Sequence, residues 1–210
     1  EGTPNSGPTD INLTSEEDGW NFIGNPYPAP INWDLVTVPS GMANAIYVWD
    51  HDPSSWGSYT TYVDGIGTNG GDNVMPMMQG FFVKATSAVT LTLEDDDRIT
   101  DPSNVGTFYK SSKTANNPLI RLQLDGFGFQ TEAVIRFKPN ALSDYEPTVD
   151  ALLFPNGNPL GADLASLSSD NEILVINTLS DSQMSTTIPL FTSIGTSGSY
   201  QIEMTEFDHF

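Results

Sequence analysis

Cysteine is absent from this 210-residue chain, which removes disulfides, thiolate nucleophiles and every cysteine-based zinc or iron–sulfur site at once. Basic residues are scarce: seven Lys and Arg face 27 Asp and Glu, for a formal net charge of -20. Affinity for phosphate backbones and anionic membranes comes from Lys and Arg, so nucleic acid is excluded as a partner. Histidine occurs only as His51, in an expected turn, and His209, next to last. No G-x-S-x-G elbow surrounds any serine, so no catalytic residue is assigned and an enzyme is not expected. Paired carboxylates carry no signal for glycosidic chemistry, because among 27 acids some pair will stand at a suitable separation whatever the function. No apolar run approaches the ~18 residues that span a bilayer, and the opening EGTPNSGPTD has no charged-then-apolar leader pattern. Membrane insertion is therefore not expected.

What is present points to an all-β protein. Gly and Pro number 18 and 15, and about a fifth of the residues are Ser or Thr, a composition that favours turns over long helices. Period-two alternation marks half-buried strands at Val89, Leu91 and Leu93, at Ile120, Leu122 and Leu124, at Ala133, Ile135 and Phe137, and at Tyr200, Ile202 and Met204. Shorter strands are predicted over 20–24, 46–50, 59–63, 81–85 and 173–176, and helical turns at most over 32–36 and 161–167. The polar stretch KSSKTANNP, 110–118, has no periodicity and ends in Pro, which makes it a candidate boundary between units 1–114 and 115–210. The Pro-rich stretch 139–159 reads as a long crossover loop.

Three groups of residues could carry function. The string DGIGTNG, 64–70, is a literal G-x-G-x-x-G, but Pro76 and the missing helical period deny it the helix that a dinucleotide site needs, so it reads as a loop. Calcium takes oxygen ligands from acidic loops, and Asp95, Asp96 and Asp97, or Asp64 with Asp72, are the candidate ligands. The EF-hand pattern fails, since a loop counted from Asp50 has Ser55 and Thr61 where Gly and Glu belong. Aromatics crowd the first third of the chain, and an exposed aromatic is a usual platform for a sugar ring or a partner. Trp56, in the polar turn DPSSWGS, with Tyr59 and Tyr62 beyond it, is the candidate ligand-binding strip.

The string GWNFIGNPYPAPINWD, 19–34, followed by AIYVWD, the Gly-rich loop, MQGFFVKA and TFYKSS, resembles a β-sandwich module of secreted and cell-surface proteins of the Bacteroidota. Such proteins are typically cargo of the type IX secretion system. The second half, with LIRLQLDG, TEAVIRF, DALLF, LVINTL, TTIPL and TSGSYQIEMTEF, is similar to the β-rich segment that precedes the C-terminal sorting domain in those proteins. The resemblance implies a protein context rather than an activity.

Together these readings give a definite expectation: two β-sandwich units of jelly-roll or Ig-like type in tandem, extracellular or on a bacterial cell surface. Their expected role is that of a non-catalytic structural or adhesive element, a spacer, matrix or fibre component of a larger protein. The alternative is a carbohydrate-binding module attached to a polysaccharide-degrading enzyme, with polysaccharide as the partner. Cofactors are expected to be none, or calcium in a stabilising role. Association with other domains or copies through β-strand edges is expected, with the alternating segment 197–207 as the joining strand and Tyr200, Ile202 and Met204 buried.

Overall fold

The computed structural model describes residues 2–51, 57–100, 117–154 and 157–210. The protein is all-β: 47% of the chain is strand, about twice the usual share, and the described residues hold 3-10 turns but no α-helix. Residues 52–56 and 101–116, which include most of the candidate boundary, lie outside the described residues.

In the first half, strands β1 (Thr9–Leu13), β2 (Trp20–Gly24), β3 (Ile31–Asn32), β4 (Ile46–Asp50), β5 (Ser58–Val63), β6 (Ile66–Thr68), β7 (Val74–Met75), β8 (Gly80–Lys84) and β9 (Val89–Leu93) form three sheets. Five strands run in the order β2-β8-β4-β5-β6, while β1 pairs with β9 and β3 with β7. Alternation sends Ile46, Tyr62, Phe81 and Val83 to one face of the large sheet. There they meet Leu13, Leu91 and Leu93 of the β1–β9 ribbon and Ile31 and Met75 of the β3–β7 pair in one buried cluster. The other face carries Trp20, Phe22, Phe82, Tyr47, Trp49 and Tyr59.

The second half contributes β10 (Leu119–Gly126), β11 (Phe129–Lys138), β12 (Ala151–Leu152), β13 (Ala162–Leu167), β14 (Ile173–Ser180), β15 (Leu190–Ile194) and β16 (Gln201–Asp208). The order is β15-β13-β14-β11-β10-β16, with β12 on β14. Strands β11 and β14 are parallel, and a parallel pair needs a long crossover; the predicted crossover loop is part of that connection. Strand β13 joins β14 only at Ser166 and Leu167, then lies against β11 and β10. Leu164 and Ala162 of β13 thereby cover Leu124 and Ala133, while Leu119, Val134 and Ile176 on the opposite face turn toward the first half.

The predicted strands and the 3-10 turn at Trp33–Leu35 are present, with two differences. The second predicted helical turn, 161–167, is strand β13: its small and branched residues lie buried between β11 and the rest of the sheet, so neither face displays the polar row that reveals a half-buried strand. The closing strand β16 is the reverse case. Seven of its eight residues are exposed, Ile202 at 45% and Met204 at 54%, because it lies at the end of the sheet order.

The G-x-G-x-x-G string is a hairpin. Asp64 and Gly65 take positive φ, 45° and 84°, and join β5 to β6 as the two-residue turn that Asp-Gly favours. Gly71 is required for a different reason, since a Cβ there would lie 2.2 Å from the Thr61 carbonyl oxygen. Gly71→Ala is expected to destabilise by about 3 kcal/mol or more through backbone overpacking. Gly65→Ala, where a Cβ meets open space, should cost only about 1 kcal/mol for the left-handed φ. Denaturant titration of the two variants checks the ranking.

Candidate functional site

The aromatic face of the first half is partly covered by the second. Phe154 enters a box made by four first-half rings: Trp20 at 4.4 Å between centroids, Tyr59 at 4.5 Å, Phe82 at 4.9 Å and Tyr47 at 5.8 Å. The Trp20 and Tyr59 contacts are edge-to-face, the arrangement that matches ring edges to π faces. Below the box, Ala45, Tyr47, Val63 and Ile66 share one buried cluster with Leu119, Val134, Ala151, Val175 and Ile176. An apolar core thus runs across the junction of the halves.

Polar contacts rim that core and converge on the β5–β6 hairpin. All three basic residues beyond position 115 are Arg121, Arg136 and Lys138, and each reaches this hairpin. Arg136 donates to the Asp64 carbonyl at 2.7 Å and to its carboxylate at 2.9 Å. Lys138 donates to the same carboxylate at 2.8 Å, and Arg121 donates to the Gly67 carbonyl at 2.8 Å. Next to them, Asn69 N–H donates to the Glu132 carboxylate at 2.7 Å, and Glu132 N–H donates to the Asn69 side-chain oxygen at 2.9 Å. Burial lowers the Arg136 pKa, and the neighbouring Asp64 opposes that shift. Asp150, buried behind it, accepts from the backbone N–H groups of Glu146 and Thr178 at 2.8 and 2.7 Å. Burial nevertheless pushes Asp150 up to about 6, with those two hydrogen bonds holding it down.

Beside the hairpin is a groove of about 890 Å³ lined by Trp33, Asp34, Met42, Asn44, Asp64 and Thr148 among others, within the range of small-molecule sites. Several of its polar groups are already employed in the protein. Tyr62 Oη donates to Asp34 Oδ1 at 2.6 Å, Asn73 donates to Asp34 Oδ2 at 2.7 Å, and Trp33 Nε1 donates to the Asn44 carbonyl at 2.8 Å. Burial, with the Asp34 carboxylate second, raises the Tyr62 hydroxyl far above its ordinary pKa, so it stays a donor.

Of the candidate binding residues of the sequence reading, Tyr59 and Tyr62 stand on opposite faces of β5 and do not form a strip. Tyr62 is 1% exposed and belongs to the core, because β5 is buried on both faces and its alternation therefore does not separate a wet side from a dry one. Tyr59 is half-buried with its ring against Trp49, Phe82 and Phe154. Trp56 lies outside the described residues. The exposed rings on this face are Phe22 and Trp49 instead. Along Phe22, Phe82, Tyr59 and Trp49 the successive interplanar angles are 49°, 81° and 69°, so these rings share no plane.

Four of the five acidic residues proposed for calcium are held by protein donors. Asp97 accepts from the Glu94 N–H and closes a capping box around a 3-10 turn. Asp95 accepts from the Gly7 N–H and pairs with Arg98. Asp64 is bound by Arg136 and Lys138, and Asp72 accepts from the Asn73 N–H. Asp96 is the middle residue of the same 3-10 turn. Among the described residues no three His, Asp or Glu side chains gather as a metal-holding group. The histidines stand apart, His51 exposed after β4 and His209 4.0 Å from Asp208.

The remaining surface feature is β16 itself. Its register on β10 sets Ile202 opposite Leu124, Met204 opposite Leu122 and, past a bulge at position 205, Phe207 opposite Ile120. The apolar row of the sheet therefore continues onto the last strand and is exposed there. Nothing in the periodicity of β16 distinguishes it from a buried strand.

Two outcomes follow from the junction. Asp64→Ala is expected to cost about 2–3 kcal/mol by stranding the buried Arg136, whereas Lys138→Ala, at a partly exposed pair, should cost under about 1 kcal/mol. Because the folded Asp150 pKa lies above its ordinary 3.8, its stabilising share is full below the unfolded pKa and lost as pH rises through about 6. Acidification from pH 7 to 5 should thus add about 1 kcal/mol at this site, and Asp150→Asn should remove that increment. Urea titrations at both pH values check both statements.

No curated protein matches this chain, and no solved structure does. The family described as Domain of unknown function (DUF8693) matches residues 1–210, and the chain belongs to that family.

Proposed function

We propose that this chain is a non-catalytic structural or adhesive module of a larger secreted or cell-surface bacterial protein, a spacer, matrix or fibre element. On this reading the two halves are β-sandwich units in tandem that work as one stiff body and join neighbours through β-strand edges. The single observation that carries it is β16: an eight-residue strand at the end of the sheet order, exposed along its length, with an uncovered apolar row. Edges of this kind are normally blunted by Lys, Pro or a covering element, and QIEMTEFD contains neither Lys nor Pro. The continuous core across the junction supports the stiffness, since a spacer transmits position only if its parts do not swing. The role needs no cofactor, and calcium would act only on stability.

A second reading, a carbohydrate-binding module attached to a secreted polysaccharide-degrading enzyme, is favoured by one observation, the exposed rings of Trp49 and Phe22 on the aromatic face. The tilted rings favour the structural reading, because a sugar strip needs faces in one plane.

Hydrogen exchange separates the outcomes. In the intact parent protein the amides of Gln201–Asp208 are expected to exchange at least tenfold more slowly than in the isolated chain, on the order of 1.4 kcal/mol of added protection. Equal rates in both would contradict a joining role. Retention of the chain on a polysaccharide affinity gel, lost in Trp49→Ala, would install the second reading.

A further inference from the structure

The two faces of β16 differ in a way that selects its occupant. One face presents Ile202, Met204 and Phe207 beside Leu124, Leu122 and Ile120. The other presents Gln201, Glu203, Glu206 and Asp208 beside Asp125, Gln123, Arg121 and Leu119. Arg121 is the sole basic residue of these two strands. It is already engaged, with Glu206 at 3.0 Å, Glu132 at 3.0 Å and the Gly67 carbonyl. The outer strand of the sheet is thus apolar on one side and acidic on the other.

Pairing of β16 with β16 of a second copy would set its acidic row against the same row. Like charges across a strand pair are destabilising, and two bodies of charge -20 repel before they meet. The acids therefore guard the edge against its own copy, as inward charges and bulges do at other sheet edges. They leave it open to a strand of opposite sign. We propose that β16 is the docking edge for an extended partner segment that alternates apolar with Lys or Arg residues, added as the next strand of the sheet. Its apolar side chains lie beside Ile202, Met204 and Phe207, and its basic side chains beside Glu203, Glu206 and Asp208. Main-chain hydrogen bonds supply the affinity and the alternating side chains the selectivity. The inference rests on the joining role proposed above and names the chemistry of what is joined.

The test uses the 210-residue chain and three synthetic ten-residue peptides: one alternating Val or Phe with Lys, its scrambled isomer, and the same alternation with Glu. The basic alternating peptide is expected to bind at least about tenfold more tightly than the other two, to weaken as salt screens the acidic row, and to slow exchange at Gln201–Asp208. Met204→Thr, at a position more than half exposed, should weaken it several-fold, and Glu203→Gln should lower both its affinity and its salt dependence. Equal binding of the scrambled isomer would reduce the effect to bulk charge and overturn the proposal. Sedimentation showing self-association that protects β16 would name a second copy as occupant, overturning this inference while leaving the joining role intact. Failure of every peptide to slow exchange at β16, with exchange in the intact parent equally fast, would remove both.

Discussion

Phe154 inside the ring of Trp20, Tyr47, Tyr59 and Phe82 is the contact on which the arrangement of the molecule depends. An apolar sheet face must be covered by something, and the outer face of the first-half sheet is too aromatic to leave to water. The second half supplies the cover, with Leu119, Val134 and Ile176 completing a core that neither half closes alone. Dispersion and area burial hold the surfaces together without fixing direction. Direction comes from the charged rim, where Arg121, Arg136 and Lys138 all seize one hairpin.

That rim gives the charge composition a structural meaning. In a chain of net charge -20, self-repulsion opposes compactness, and every cation counts. Those of the second half are spent at the junction, two of them on a single carboxylate, Asp64. The acidic face of β16, with Glu203, Glu206 and Asp208, is left with little to balance it beyond Arg121, so this part of the excess charge stands where a neighbour could offset it. Composition, junction and proposed docking edge are in this sense one electrostatic arrangement.

Much of the fold was legible because strands with one wetter face alternate openly, as 89–93 does, and because 119–126 alternates apolar with polar residues although neither of its faces is fully exposed. Strand β13 was not, since burial against β11 erases alternation and small residues such as Ala162 and Ala165 carry no strand preference of their own. The site was harder. Tyr62 could not be told from an exposed tyrosine, because β5 is buried on both faces, and Phe154 lies in a loop after a two-residue strand, where periodicity has nothing to say. Scarcity did carry a signal: three basic residues in half a chain of acids are candidates for structural pairing, although only the fold brings 64 and 136 together. The sequence also located the final strand but not its exposure, which depends on the order of strands in the sheet.

The central claim is that the two halves are one cooperative body. All four tryptophans, Trp20, Trp33, Trp49 and Trp56, lie in the first half, so their fluorescence reports that half and, through Trp20 against Phe154, the junction, while hydrogen exchange at β11 and β14 reports the second. Followed together through a urea titration, the two probes should give coincident transitions with one midpoint. Two separated transitions, with β11 and β14 opening while the tryptophans remain folded, would contradict the account.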